Sequence, residues 1–496
     1  MTQYKRWYEG VRWTIWFGSY EGPEKFALEE LQREVQCYQP YVVGVKQISD
    51  EVRQDPEHLI LLGTPENSFL LGELQAQELI NVPEQEEGYS IACLDSPWKD
   101  GQRIIAIAGR DARGVVYGVA DFSSRILGNK VATDLPGGQR ESFDKMESFN
   151  ISEYPRIERR GLWGWGYVIY DFRRFIDNMA RLKMNTLIVW NDCPPLNCQE
   201  VIEYAHSRGV SVILGFHWGW DIEGLDPSSH AGLQRIKAEV IENYEQNYRH
   251  LGADGIYFQT FTEQHNTQVG GRSIASLACE WVNDIALTLL EKEPGLEIQF
   301  GLHAISIRED YVDLKDLDPR VSIVWEDAGV LPYDYNVATC MEGADWAVPV
   351  GLETVEATVD YSKRLAVLRE GAEFAMVAKG WMKLRWGIEF EHHGPFILGE
   401  RKSEFIARRL TERQPRWDYA NSQWMRNYPI AASFYREILG CSPSKMSVTG
   451  LIEDGMFEET IQPSVGLFAE TIWNPYREDS EILALALSPY YRRNAP

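Results

Sequence analysis

The sequence has few cysteines and no long apolar run, and each shortage argues against a class of protein. Seven cysteines among 496 residues, an odd number in a long chain, favour reduced thiols over a disulfide framework. No stretch reaches the roughly 18 uncharged apolar residues that a membrane-spanning helix needs. The opening residues, MTQYKRWYEGVRW, lack the apolar core of a secretory signal. We therefore expect a cytoplasmic protein with no membrane partner.

Basic charge and ligand-binding motifs are also scarce. The chain has 49 Lys and Arg against 74 Asp and Glu, a formal net charge of −25. Because phosphate binding needs a basic surface, this balance argues against a nucleic-acid partner. It favours a neutral substrate, or an acidic one held by a local basic pocket, although solubility alone also explains it. No HxH, HExxH, CxxC or GxGxxG motif is present, so we predict no metal and no cofactor.

Aromatic residues, in contrast, are plentiful. The sequence holds 17 tryptophans and 24 tyrosines. Sugar rings present apolar C–H faces and polar edges, which suit flat aromatic side chains with a polar tip. An aromatic-rich core would explain the same composition, so this is a hint towards carbohydrate and no more.

The length exceeds what one hydrophobic core usually spans, which favours two domains. Residues 1–150 predict a small α/β domain, with a strand at Arg103 to Ala108 and a helix from Ala112 to Leu127. Asp111 is placed to be the N-cap of that helix. A polar segment with a Pro-Gly-Gly turn, Thr133 to Ser148, predicts a linker.

Residues 151–496 alternate strands with helices, which is typical of a parallel sheet wrapped by helices. Eight such units predict a (β/α)₈ TIM barrel. An enlarged helical connection is expected at residues 402–446, between the last two strands. The predicted strands are Arg160 to Trp165, Thr186 to Trp190, Ser211 to His217, Gly255 to Phe261, Glu297 to His303, Val321 to Trp325, Glu373 to Trp381 and Val465 to Glu470.

Active sites of such barrels form at the C-terminal ends of the strands. One acid at a strand end is commonly a helix N-cap or a loop ion pair. Acids and tryptophans at nearly every strand end instead predict a polar pocket lined by aromatic rings. The candidate binding residues are Trp163, Trp165, Asp192, His217, Trp218, His303, Lys379, Trp381 and Glu470.

We expect different tasks from these residues. The four tryptophans would be platforms for sugar rings, whereas Asp192, His217 and His303 would hold hydroxyl groups. Glu470 is a hydroxyl-binding group or a third acid. Lys379 would bind a sugar carboxylate if it points inward, and otherwise it is a surface charge.

Cleavage of a glycosidic bond needs one carboxylic acid and a second group that supplies or activates the nucleophile. Glu263 is the candidate acid, because Phe261 and Thr262 could exclude water and raise its pKa. Glu326 and Asp327 are the candidate base or nucleophile. A helix cap or an ion pair remains the alternative for Glu263.

Two histidines at strand ends raise the question of a metal. His217 and His303 could combine with Asp192 and Glu263, but their spacing matches no known metal motif. Hydrogen bonding to sugar hydroxyls is therefore the preferred role of both histidines.

Several segments resemble a known superfamily. The stretches Gly88 to Ile91, Ile104 to Gly109 and Asp111 to Val119 resemble the non-catalytic α/β domain of family 20 hexosaminidases and family 67 α-glucuronidases. Phe175 to Leu187 resembles their first barrel unit, and Val201 to Leu214 is similar to the approach to their third strand. The resemblance implies a glycoside hydrolase in which the first domain is not catalytic.

The resemblance also implies a reaction type. Family 20 enzymes carry an Asp-Glu pair at the fourth strand, where this sequence has Thr262-Glu263. The acid is retained and the residue that orients an acetamide is not. We therefore expect an inverting, exo-acting, α-glucuronidase-like hydrolase of an oligosaccharide or glycoside. A retaining N-acetylhexosaminidase and a non-catalytic carbohydrate-binding barrel remain alternatives, and a homo-oligomer stays open.

Overall fold

Two sheets organise the chain, an open sheet of six strands and a closed barrel of eight. The computed structural model describes residues 8–131, 138–191, 193–219, 224–262, 266–326, 354–379, 381, 394–452 and 457–492. The strands are β1 (Trp13–Phe17), β2 (Gly44–Gln47), β3 (His58–Gly63), β4 (Tyr89–Asp95), β5 (Arg103–Gly109), β6 (Phe149–Glu153), β7 (Arg159–Trp165), β8 (Thr186–Trp190), β9 (Ser211–His217), β10 (Gly255–Gln259), β11 (Gln268–Val269), β12 (Arg272–Ser273), β13 (Glu297–Leu302), β14 (Val321–Trp325), β15 (Glu373–Ala378) and β16 (Lys445–Ile452).

The α-helices lie between these strands and after the last of them. They are α1 (Gly22–Gln36), α2 (Phe69–Ala76), α3 (Ala112–Asp121), α4 (Gly138–Asp144), α5 (Phe172–Arg181), α6 (Cys198–His206), α7 (His230–Asn243), α8 (Ile274–Lys292), α9 (Ala304–Ile307), α10 (Val355–Ala366), α11 (Ser403–Leu439), α12 (Pro463–Trp473), α13 (Asp479–Ala486) and α14 (Pro489–Arg492). Among the helices of the described ranges, none is both long and apolar enough to cross a lipid bilayer.

The first sheet has the strand order β2-β1-β3-β5-β4-β6. Its first four strands run parallel and β4 is antiparallel to its neighbours, so the predicted α/β unit is confirmed. As predicted, the Asp111 side chain caps α3 by accepting a hydrogen bond of 2.9 Å from the backbone N–H of Gly114. The linker prediction is wrong over α4, because Phe143 of that helix is buried against Trp13.

The second sheet closes on itself in the order β7-β8-β9-β10-β13-β14-β15-β16. Every strand is parallel to its neighbours, and β16 pairs with β7 to complete the ring. The predicted TIM barrel is confirmed. The predicted enlarged connection is also helical, because α11 spans 37 residues between β15 and β16.

The eighth predicted strand is wrong. Val465 to Glu470 lies inside α12, and the eighth strand is β16, which begins at Lys445. Every residue of α12 from Ser464 to Trp473 is buried. A short, continuous apolar run of this kind reads the same in a buried helix as in a buried strand, so periodicity could not separate the two.

The first sheet and the barrel meet through buried ion pairs. Lys183, with its side chain fully buried, lies 2.8 Å from Asp121 of α3 and 2.7 Å from Glu470 of α12. Arg477 lies 2.6 Å from the other oxygen of Glu470. Lys183 adopts φ 59°, a left-handed conformation that glycine usually takes after a helix. Glu470 therefore joins the two units and does not lie at the barrel mouth.

Candidate active site

The N-terminal end of the barrel is closed by charged side chains. Arg159 pairs with Glu297 and lies 3.6 Å from Glu373, which accepts a hydrogen bond of 2.6 Å from Ser322. Above them an apolar cluster fills the inside of the barrel, as is usual for this fold. The cluster comprises Trp163, Ile188, Trp190, Ile213, Tyr257, Val324, Ala375, Val377 and Leu451. A site can therefore form only above this cluster, at the C-terminal ends of the strands.

Glu326 directly follows β14 and is the centre of the polar groups at that end. It is 6% exposed. Its Oε1 accepts hydrogen bonds from the Tyr257 hydroxyl and, at 2.5 Å, from the Gln259 amide. Its Oε2 lies 3.3 Å from His303 Nε2 and 3.9 Å from Lys379 Nζ. Four side chains from three other strands or strand ends thus surround one carboxylate.

This environment decides the charge of Glu326. Burial by itself raises the pKa of the carboxyl, but the charge and hydrogen bond of His303, the charge of Lys379 and the Tyr257 hydroxyl lower it more strongly. The resulting pKa is about 2. Glu326 is therefore an anion at neutral pH, ready to accept a proton or attack a carbon, and it is no source of protons.

Gly301 of β13 makes room for this arrangement. A Cβ at this position would lie 2.5 Å from Oε1 of Glu326 and would also meet the Tyr257 hydroxyl. The backbone N–H of Glu326 donates to the carbonyl of Leu302 at 3.1 Å, which continues the pairing of β13 with β14. The carboxylate is thus positioned by the sheet itself.

An aromatic wall, formed by Trp163, Trp165 and Trp190 of β7 and β8, is the upper edge of the apolar cluster on the far side of the barrel. The ring centroid of Trp163 lies 5.2 Å from that of Trp165, 6.0 Å from that of Trp190 and 5.9 Å from that of Tyr257. Three strands separate β8, which carries Trp190, from β14 in either direction round the ring. The wall therefore faces Glu326 across the mouth, and half-buried Trp165 is its accessible ring.

The arrangement offers little to a metal ion. Within the described ranges, no three His, Cys, Asp or Glu side chains are grouped so that they could hold one. Among the described residues, Glu326 has one histidine beside it, together with an ammonium group, an amide and a phenol. An ammonium group competes with a cation for the carboxylate, so these side chains suit an organic substrate better than a metal.

Comparisons with known proteins add little beyond the architecture. No protein-family model matches the chain, and no curated protein matches it either. Among solved structures, the structure of CpGH84B is similar, with 11% sequence identity and a TM-score of 0.48. That likeness covers 95% of this chain and 70% of CpGH84B. The fold stands on the strand pairing of this chain, and the function must be argued from its own side chains.

The structure brings together six of the predicted site residues. Glu326, His303 and Lys379 form the polar side, and Trp163 and Trp165 belong to the aromatic wall. His217 ends β9 opposite Gln259 in the strand register, at the same level of the barrel. Three further candidates, Asp192, Glu263 and Asp327, lie outside the described residues.

Trp218 and Trp381, which were predicted to stack on sugar rings, point away from the barrel mouth. Trp218 is fully buried and stacks on Phe258, with centroids 3.4 Å apart, on the outer side of the sheet. It directly follows the last residue of β9 and so has the opposite phase to that residue. Trp381 packs against Trp424 of α11 and Phe468 of α12. Both indoles belong to the core between the barrel and its helices, so neither can stack on a sugar at the mouth.

Three residues of the site were missed by the sequence analysis. Tyr257 and Gln259 lie two apart on β10 and therefore face the same side, the barrel interior. Trp190 ends β8, and no role at the mouth was predicted for its indole. Strand alternation alone could have assigned all three inward, because the phase of each strand follows from its terminal residue.

Proposed function

We propose that the protein is a glycoside hydrolase that removes a terminal sugar from an oligosaccharide or glycoside. The observation that carries the proposal is the buried Glu326 carboxylate, which contacts hydrogen-bond donors and an ammonium group opposite an aromatic wall. Glycosidic bond cleavage needs an ionised carboxylate beside the anomeric carbon, and aromatic rings stack on the apolar faces of sugars.

Glu326 serves as the general base or the nucleophile. A carboxyl group with a pKa of about 2 holds no proton to give at neutral pH. The leaving oxygen must therefore be protonated by another group, and Glu263 is our candidate for that general acid. Glu263 follows β10 in the chain and lies outside the described residues, so this assignment rests on the sequence.

We also propose an inverting reaction on a uronic-acid glycoside. The family 67 resemblance favours inversion, with Glu326 activating a water molecule and Asp327 as the alternative base. Lys379, with a side chain 23% exposed at 3.9 Å from Glu326, is our candidate to bind the substrate carboxylate.

A panel of aryl glycosides tests the proposal. It should contain uronides, N-acetylhexosaminides and neutral hexosides in both anomers. We expect one class to be cleaved, with NMR showing the inverted anomer first. In the Glu326→Gln variant kcat/KM should fall by about 10²–10⁴-fold. Glu263→Gln should impair poor leaving groups more than activated ones. Glu239→Gln, a half-exposed glutamate on α7, is the matched control.

The outcomes separate the alternatives. Cleavage with wild-type kcat by Glu326→Gln would remove Glu326 from the reaction. A retained anomer and inhibition by a thiazoline mimic would instead indicate substrate-assisted N-acetylhexosaminidase chemistry. Sugar binding without turnover of any glycoside would leave a carbohydrate-binding barrel.

A further inference from the structure

A band of apolar side chains continues from the aromatic wall to the outer rim of the barrel mouth. The ring of Tyr167 lies 6.2 Å from that of Trp165, and the ring of Phe396 lies 6.4 Å from that of Tyr167. The Phe396 carbonyl accepts a hydrogen bond of 2.8 Å from the backbone N–H of Leu196. Ile397 follows Phe396 in the chain. We name these four residues, Tyr167, Phe396, Leu196 and Ile397, the rim band.

The rim band ends in unusually exposed aliphatic side chains. Leu196 is 72% exposed and Ile397 is 55% exposed. Single exposed apolar residues are common on protein surfaces. Two neighbouring ones that continue a line of half-buried aromatic rings out of a catalytic mouth are typical of a binding surface.

Backbone and side-chain hydrogen bonds hold the rim band in place. The Asn197 side chain donates to the Leu398 carbonyl and accepts from the Leu398 N–H, both at 2.9 Å. Gly399 accepts a hydrogen bond from the backbone N–H of Phe172 at 3.1 Å. A Cβ on Gly166 would lie 2.5 Å from the Phe396 ring, so glycine there lets the ring close over the strand end. The band is thus formed before any ligand binds.

From this geometry we infer that the rim band is the subsite for the leaving group, and that it selects a glycoside with an apolar or aromatic aglycone. The inference rests on the proposed function. None of the four side chains is charged, and the Asn197 amide is already bound to the backbone. Aromatic rings alone would also suit a second sugar, but Leu196 and Ile397 are exposed aliphatic side chains on which an alkyl or aryl group would bury its surface.

Matched substrates test the subsite. Hexyl and methyl glycosides of the sugar that the panel selects differ only in the group that would lie on the rim band. In the double variant Leu196→Ser/Ile397→Ser, the ratio of kcat/KM for hexyl over methyl should fall about tenfold, since two apolar side chains no longer contact the chain. Leu196→Ser alone should lower it less. Val42→Ser, an 85% exposed residue before β2, is the control.

The other outcomes contradict either the subsite or the proposed function. An unchanged hexyl-to-methyl ratio in a variant that cleaves the methyl glycoside removes the subsite and leaves the proposed function intact. The subsite is equally removed if the wild type is a dimer that the double variant dissociates with no change in that ratio. A wild type that cleaves no glycoside at all overturns the proposed function, and this inference with it.

Discussion

Lys379 places its ammonium group 3.9 Å from Oε2 of Glu326. The Tyr257 hydroxyl and the Gln259 amide satisfy one carboxylate oxygen, and His303 contacts the other together with Lys379. Because burial opposes ionisation, the charge of Glu326 depends on these neighbours. The ammonium group can be removed without altering the hydrogen bonds, so its contribution can be measured.

We predict that Lys379→Met moves the acid limb of the pH–rate profile to higher pH. The pKa of Glu326 is lowered from 4.5 to about 2, so the active anion is present above that pKa and lost as the pH falls through it. Removing the ammonium group raises the pKa towards its ordinary value. Profiles of kcat/KM for the wild type and the variant give the shift.

Lys379→Arg is the control for this experiment, because it keeps the charge and should keep the limb near that of the wild type. If the wild type and Lys379→Met had the same acid limb, the ammonium group would not contribute to the lowered pKa of Glu326.

The same site shows what single residues in a sequence can reveal. Glu326, His303 and Lys379 were found because each follows a predicted strand or lies near its end, where barrel chemistry is expected. Strand alternation places Tyr257 and Gln259 of β10 inward, but their link to Glu326 depends on the register of β10, β13 and β14. That register is a tertiary property, which no local pattern contains.

At the scale of elements, β13 acts as a spacer between β10 and β14. The Tyr257 hydroxyl reaches across it to Glu326 only because Gly301 has no side chain to fill the gap. The glycine is therefore required for space and not for an unusual backbone conformation.

We predict that Gly301→Ala lowers kcat/KM by about 10²-fold, because the added methyl group displaces Glu326 or Tyr257 from their contact. Steady-state kinetics on the substrate chosen by the panel measure the effect. Gly295→Ala is a matched control just before the same strand, since a Cβ there meets nothing within 4 Å. Equal activity of the two variants would mean that the Tyr257 contact does not matter for the reaction.

Element prediction succeeded for short strands that are buried on both faces and bounded by clear signals. Strands β8, β9 and β14 have the bounds expected from sequence, since turns or helix caps bracket each run. It failed for α12, a helix buried on all sides that shows no amphipathic period. The last barrel strand, β16, begins at Lys445, near the end of the predicted connection, and no strand was predicted there.

At the scale of the whole molecule, the junction of the two units is charged and buried. Asp121, Lys183 and Glu470 are fully buried there, and Arg477 is 3% exposed at its side chain. Burial would raise the pKa of Asp121, but Lys183, Arg125 and Arg477 lower it well below its usual range. The stabilisation from this carboxylate is therefore present above its unfolded pKa and is lost in strong acid.

We predict that Lys183→Met lowers the free energy of unfolding by about 3–5 kcal/mol, because two buried carboxylates lose a shared cation. Denaturant unfolding followed by tryptophan fluorescence measures the change. Lys145→Met removes a lysine from an exposed pair with Glu141 on α4 and should leave stability nearly unchanged. If both variants unfolded at the same denaturant concentration, the junction would not be a major source of stability.

The order of the residues along the chain determines when this junction can form during synthesis. Glu470 follows Lys183 by 287 residues, and Tyr491, whose hydroxyl donates to Glu470, comes later still. During synthesis on a ribosome, the first sheet and the opening barrel units emerge long before α12. Asp121 and Lys183 then have each other but lack Glu470, Arg477 and the stack of Trp473 on Tyr89. We therefore expect docking of the first unit to be completed only after the chain up to Tyr491 has left the exit tunnel.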